Sequence, residues 1–375
     1  MRVALVGDEF PPDIGGAAIY TYELGRALAK KGIEVHFLTH WHRNQPLEEE
    51  IDGIRIKRVK GFVVPRFNRA ISPYSFRRLH SVIKHGGYHV IHGADIYSPL
   101  ACGGLWSARK RCIPSVFTCH TALTYNPLIA IAHFPILRIL RRVPAVIAVS
   151  HAAKLFSQML GIRAEKIRVI PNGVDLKTFN PRVDGAKLRR RIGAGGSPLI
   201  VTASRLTPYK QVGLLIRAFK FVRNELPDSR LVIAGTGVEE KRLKRLAREL
   251  ELENSTVFLG KLPHKKIAEL IAAADVCVIP SKVESMPLFA LESLACGKPV
   301  IGPNRGGITS VVEQGVTGML IPMRDPEPLA RTLVETVQDT ELRRSARREG
   351  PRFVRKRFSW ELCASRTLEV YRALR

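Results

Sequence analysis

Two glutamates eight residues apart, Glu284 and Glu292, bracket the uncharged run Ser285-Met286-Pro287-Leu288-Phe289-Ala290-Leu291. Proline is tolerated in the first turn of a helix, so residues 286–296 read as a helix whose N-terminus faces the strand end at Ser281. Unpaired N–H groups and the positive dipole end at that point suit a phosphate. Glu284 stands at the mouth of this helix. Glu292 lies two turns in, among Phe289, Ala290, Leu291, Leu294 and Ala295, where a partly buried acid needs a hydroxyl or a cation. Ser204-Arg205-Leu206 with Tyr209-Lys210, at the end of another strand, offers a rigid guanidinium fork and a point charge, a pair suited to a diphosphate. Pro11-Pro12-Asp13-Ile14-Gly15-Gly16 opens a helix at 17–31 with two glycines that let a ligand approach the backbone. Phe117-Thr118-Cys119-His120 sets an imidazole at the carboxyl end of a buried strand. Taken singly, each has a bland counterpart: solvated glutamates, a basic turn, a Gly-rich turn, a core histidine.

The elements that position these residues repeat. Apolar runs at 2–7, 33–39, 89–92, 115–119 and 145–150 are each followed by a helix-length segment, and the rhythm restarts at 199–204, 230–235, 257–260, 276–280, 299–302 and 318–322. That is α/β architecture, and 375 residues are too many for one core. The reading is two Rossmann-like parallel-sheet domains, 1–172 and 173–357, with a helix at about 358–375 expected to pack back on the first and a charged, Gly-rich linker region at 184–197. Parallel sheets covered on both faces bind ligands at the carboxyl ends of their strands, so a central cleft between the domains is the expected site.

Several chemistries lose support. No G-x-x-x-x-G-K-[ST] loop occurs, and Gly235-Thr236-Gly237 stops short of G-x-G-x-x-G. No D-x-D pair or H-E-x-x-H helix is present, so no metal site is expected, and Glu48-Glu49-Glu50 reads as a solvated loop. The six cysteines form no C-x-x-C pair and are expected to be reduced. The first residues meet Asp8 and Glu9 too soon for a secretory signal, and no window has the apolar length to span a bilayer. The expected location is therefore cytoplasmic. The net charge is +27, and residues 53–164 hold 17 bases against the single acid Asp95. Such a field attracts phosphates of any kind. Specific nucleic-acid binding is disfavoured, because no aromatic interleaving, zinc-finger spacing or RNP-type motif accompanies the bases.

In order and spacing, Pro12 to Gly16, His120, Ala148-Val149-Ser150, Ile170-Pro171-Asn172-Gly173-Val174-Asp175, Ser204-Arg205-Leu206 with Lys210, Ala234-Gly235-Thr236-Gly237 and Glu284 to Ile301 resemble family four of the retaining nucleotide-sugar glycosyltransferases, which have the GT-B fold. The resemblance implies transfer of a hexosyl unit from a nucleotide diphosphate sugar, without cofactor or metal, by front-face attack in which the leaving phosphate oxygen takes the acceptor's proton. It implies catalytic parts for Glu284, His120, Arg205 and Lys210, and donor contacts from Gly15, Gly16, Met286, Pro287, Leu288, Glu292, Gly235 and Gly237. Arg205 and Lys210 would grip the diphosphate, Glu292 the ribose hydroxyls, and Glu284, His120 and the backbone of residues 286–288 the sugar. The family often carries Gly-Phe-Gly where Ser285-Met286-Pro287 stands, and Pro-Glu where Thr309-Ser310 follows Gly306-Gly307-Ile308; both departures fall near the expected donor sugar. A nucleotide-sugar epimerase of the same fold is the alternative enzyme.

The basic stretch adds an expectation about the acceptor. Phe76-Arg77-Arg78-Leu79 with Val82-Ile83-Lys84, and residues 128–131 leading to 136–142, set apolar groups beside bases, as a helix lying in a membrane interface needs. A core-facing helix with a solvated basic edge has the same pattern. The near absence of acids favours an anionic membrane surface and a lipid-type acceptor, and hence a peripheral enzyme on the cytoplasmic face.

Overall fold

Runs such as Val3-Ala4-Leu5-Val6 and Leu199-Ile200-Val201 are apolar at every position, the pattern of a strand covered on both faces. In the computed structural model, which describes residues 1–8, 10, 16–41, 45–61, 63–64, 69–70, 73–122 and 134–374, these runs become parallel strands in two separate units. One unit is residues 1–173 with 360–375, and the other is 174–359.

The first unit runs β1 (Arg2–Val6), α1 (Gly16–Ala29), β2 (Glu34–His40), β3 (Glu48–Ile51), β4 (Ile54–Val59), β5 (Val63–Val64), β6 (Arg69–Ala70), α2 (Pro73–His85), β7 (Val90–Ala94), α3 (Pro99–Lys110), β8 (Ser115–Cys119), α4 (Phe134–Leu140), β9 (Ala145–Ala148), α5 (His151–Met159) and β10 (Ile167–Val169). The second runs α6 (Ala186–Arg191), β11 (Leu199–Ala203), α7 (Val212–Glu225), β12 (Arg230–Ala234), α8 (Glu240–Glu249), β13 (Thr256–Gly260), α9 (His264–Ala273), β14 (Val276–Val278), α10 (Leu288–Ala295), β15 (Val300–Pro303), β16 (Gly318–Ile321), α11 (Pro326–Gln338) and α12 (Thr340–Arg357). The last helix, α13 (Trp360–Ala373), returns to the first unit, where it packs on α1.

The first sheet has the order β10-β9-β8-β7-β1-β2-β4-β3 and the second β13-β12-β11-β14-β15-β16. Strand order reverses between β1 and β7 in one and between β11 and β14 in the other, and ligands of doubly wound sheets bind at the carboxyl ends beside such reversals.

Four expectations need correction. Glu48-Glu49-Glu50 is not a loop but β3, paired antiparallel to β4, with Glu48 opposite Lys57 and Glu50 opposite Arg55, and with ion pairs from Glu48 to Lys57 and from Glu49 to Arg58. Opposite charges across the ladder turn an acidic run into an edge strand. Residues 184–197 are not a linker: α6 lies there, and Arg189 donates to the carbonyls of Gly195, Ser197 and Ala273 and to Asp275. The helix foreseen at 286–296 starts at Leu288, with Pro287 in the N-cap position, because proline's fixed φ suits an entry and it has no N–H to place. The apolar residues expected at a membrane interface face inward instead: Leu79 and Ile83 of α2 and Leu137 and Leu140 of α4 are buried, while Arg77, Arg78, Lys84, Arg138, Arg141 and Arg142 are exposed. Residues 128–131 lie outside the described residues.

Beyond the strand ends, segment 204–206 continues alongside 234–237, with Ser204 N–H bonding to Ala234 O at 3.0 Å and Leu206 N–H to Thr236 O at 2.9 Å. Gly235 has φ +125°, and a Cβ there would fall 1.8 Å from Ser204 O. Gly235→Ala is therefore expected to destabilise the protein by at least about 2 kcal/mol, lowering its melting temperature by roughly 4–8 °C. Gly196→Ala, where an added Cβ meets nothing within 4 Å, serves as the neutral control in the same calorimetric comparison.

Candidate active site

The carboxyl ends of β11 and β14 flank the reversal in the second sheet, and the expected diphosphate ligands hang from the loops that follow them. The two loops are tied together. Lys282 N–H bonds to Tyr209 O at 3.1 Å, and Tyr209 donates its hydroxyl to Val283 O. Lys210 Nζ donates to Glu284 Oε1 at 2.6 Å. The sequence expects Lys210 on a diphosphate and Glu284 on a sugar; in the fold they form one pair, and the ammonium keeps two further donors. Arg205 is exposed and makes no ion pair among the described residues.

Glu284 is held from the other side by the Gly306-Gly307 turn. Gly307 N–H bonds to Glu284 O at 2.6 Å, and a Cβ on Gly306, whose φ is +82°, would sit 2.4 Å from that same oxygen. Only glycine allows this approach. Arg305 adds a bond from Nε to Lys282 O at 2.6 Å. Met286 is buried, Pro287 leads the chain into α10, and no side chain caps the N-terminus that begins at Leu288. That terminus is an uncapped positive dipole end.

Gly235 and Gly237 act through their lack of side chains. A Cβ on Gly237 would lie 2.3 Å from Leu206 O, and Gly235 gives its own N–H to Gly260 O at 2.7 Å. The N–H of Gly235 is thus not offered to an anion, and the glycines instead let the Arg205 loop lie against its neighbour.

Glu292 is buried within α10, 7% exposed, and His264 stands beside it, with Nε2 3.7 Å from Oε1. His264 opens α9 at the carboxyl side of β13 and meets Phe179 edge-on. Burial pushes the Glu292 carboxyl up to about 8 and lowers the His264 imidazole, an effect that Asp175 opposes. Both groups are then largely neutral at pH 7, and a neutral carboxyl can donate as well as accept. His264 escapes the sequence reading; its one signal is a histidine directly after Pro263 at the start of a helix that follows a strand end.

In the first unit, His120 lies just past β8 with its ring edge-on to Tyr20, 4.4 Å between centroids. Burial pushes it down to about 3, so the ring is neutral, and Nε2 has no hydrogen-bond partner among the described residues. Gly16 begins α1, one turn before Tyr20, and a Cβ there would meet nothing within 4 Å. Gly15 lies outside the described residues.

The raised Glu292 pKa carries a pH signature. Below about 4.5 the carboxyl is protonated in both folded and unfolded chains; between there and about 8 only the folded chain keeps the proton, so stability falls as pH rises through that window. In pH-resolved thermal melts Glu292→Gln should flatten this decline. Parallel melting curves for parent and variant from pH 5 to 8 would refute the assignment.

Comparison with known proteins identifies the family. Residues 14–178 match the family model described as Glycosyltransferase Family 4, and residues 185–353 that of Glycosyl transferases group 1. A D-inositol 3-phosphate glycosyltransferase of Kribbella flavida is 30% identical over 99% of this chain and 95% of its own length. Another, from Xylanimonas cellulosilytica, is 31% identical over 96% of this chain and 92% of its own. Among solved structures, sucrose-phosphate synthase from Thermosynechococcus elongatus superposes with TM-score 0.85 at 25% identity, covering 100% of this chain and 98% of that one. Anabaena HepE in complex with UDP and glucose superposes with TM-score 0.83 at 21% identity, each chain covered in full, a likeness of fold. With two family models that between them span most of the chain, full-length relatives and two doubly wound sheets, the protein belongs to glycosyltransferase family four, the glycosyltransferases of GT-B fold.

Proposed function

We propose that the protein moves a hexosyl unit from a nucleotide diphosphate sugar to the hydroxyl of a phosphorylated polyol or lipid-linked acceptor, with retention of configuration and without a metal ion. The observation that carries this reading is the set of groups gathered at the β11/β14 reversal: Arg205, the Lys210–Glu284 pair and the uncapped start of α10.

Transfer requires the departing diphosphate's charge to be stabilised as the C1–O bond breaks. Arg205 brings a fork, Lys210 two unused ammonium protons, and α10 the N–H groups of its first turn. Glu284, fixed by Lys210 and by the Gly306-Gly307 turn, is placed for the sugar hydroxyls. Glu292 meets the ribose diol in either protonation state, with two acceptors when ionised and one O–H plus one acceptor when neutral. In the front-face route the leaving phosphate oxygen receives the acceptor's proton, so the protein needs no separate base. The HepE structure with UDP and glucose supports a UDP-type donor, and the inositol phosphate relatives support a phosphorylated cyclitol as acceptor.

Glu292→Ala should weaken nucleotide-sugar binding about 10- to 100-fold, the loss of two hydrogen bonds to the ribose diol at about 0.5–1.5 kcal/mol each. Isothermal titration against UDP-, GDP- and ADP-sugars measures it, and unchanged affinity in a folded variant counts against the site. Arg205→Ala should depress turnover more than binding, and EDTA should leave activity intact. Radiolabel that stays on the nucleotide would favour the epimerase.

The exposed face of the first unit supports a membrane-bound acceptor on new grounds. Tyr74 and Trp106 are 52% and 45% exposed, Arg78 lies over the Tyr74 ring at 4.7 Å, and Lys110 over the Trp106 ring at 5.8 Å. His80 against Trp106 joins α2 to α3 in one patch. Aromatic rings flanked by bases suit the headgroup level of a bilayer, at about 1 kcal/mol per nearby base. Among the described residues no helix is long and apolar enough to cross a membrane; the association proposed is peripheral, on the cytoplasmic face. Sedimentation with vesicles of graded anionic content should show binding that rises with lipid charge, fades with salt and weakens in Trp106→Ala; indifference to lipid charge would leave a soluble phosphorylated acceptor.

A further inference from the structure

We infer that Tyr371, His92, Thr118 and Tyr20 form a positioning chain through which the C-terminal helix sets the orientation of His120. The inference rests on the reading of His120 as a group that meets the transferred sugar. Tyr371 on α13 lies 2.6 Å from His92 Nδ1 on β7; His92 Nε2 lies 2.6 Å from Thr118 Oγ1 on β8; Thr118 Oγ1 lies 3.1 Å from the Tyr20 hydroxyl on α1. All four residues are buried, none more than 1% exposed. Apolar side chains would fill that seam without any need for partners, so an unbroken polar line across four elements is a specific arrangement.

One proton couples the two bonds of His92. Burial pushes His92 down to about 3, so the ring carries a single N–H: one nitrogen donates and the other accepts. The two bonds of His92 therefore run the same way, from Tyr371 towards Thr118 or the reverse, and the Thr118 hydroxyl, which can accept while it donates, joins them to Tyr20. Removing one member disorders the rest. At the inner end the line fixes the Tyr20 ring, which also meets Trp360 of α13 at 6.0 Å, and Tyr20 in turn meets His120 edge-on. His120 Nε2 has no partner of its own among the described residues, so packing against Tyr20 is what orients the imidazole.

A chain that merely staples α13 to the sheet would act on stability alone, and a double-mutant cycle separates the two roles. Tyr371→Phe and Thr118→Val, each made in the parent and in His120→Ala, are assayed for kcat and for donor affinity. A positioning role gives a fall in kcat of about three- to tenfold for each in the parent, donor affinity within about twofold, and no further fall in the His120→Ala background. His92→Gln, which keeps one donor and one acceptor, should recover more turnover than His92→Leu. Equal fold losses in both backgrounds overturn the inference while leaving His120 in the site. Full activity in His120→Ala removes the reading of His120 and the inference with it. Should Tyr371→Phe fail to fold, the His120 ring resonances in Thr118→Val decide the matter: they shift if the chain sets the ring, and unmoved resonances overturn it.

Discussion

The proposed grip on a diphosphate in residues 174–359 depends on backbone segments lying closer together than side chains permit. Segment 204–206 against 234–237, and Glu284 against Gly306, are approaches at which a Cβ would come within 2.4 Å of a carbonyl oxygen. Without them Arg205 and Glu284 would hang on independent loops. With them, each is fixed by main-chain hydrogen bonds before any ligand arrives, which removes ordering cost from the binding step. The glycines are therefore constraints on neighbouring residues more than contacts in their own right.

Charge in the first unit follows a related logic. In and beside the acid-poor stretch, bases turn to carbonyls: Arg141 to Leu160 and Lys166 to Arg141 and Val143. A carbonyl partner fixes a side chain but cancels none of its charge. These bases thus brace the fold and still contribute to the field that draws anions.

Much of this was legible in the residues and some was not, for identifiable reasons. Apolar runs with short connections give away parallel strands, because burial on both faces leaves no polar positions to blur them. Glu48-Glu49-Glu50 misleads because the run on its own shows only like charges, while the bases that balance it, Lys57 and Arg58, stand on the next strand of the hairpin. The spacing of Glu284 and Glu292 marks one carboxylate before a helix and one within it, yet says nothing of Lys210 on one and His264 beside the other, since both neighbours come from other segments of the chain. Nor does a sequence carry the charge state of Glu292, which is set by how completely α10 is enclosed.

The return of α13 to the first unit has a consequence for how the protein comes to exist. Residues 174–359 are contiguous, so during synthesis every segment of the second unit has been made before α13 is. The first unit, though begun earlier, lacks a wall until residues 360–374 are added, and until then Tyr20 has no Trp360 beside it and His92 no Tyr371 to bond. Completion thus runs opposite to the order of synthesis: the later unit can close first, and the earlier one waits for α13, with buried-to-be polar groups open to water.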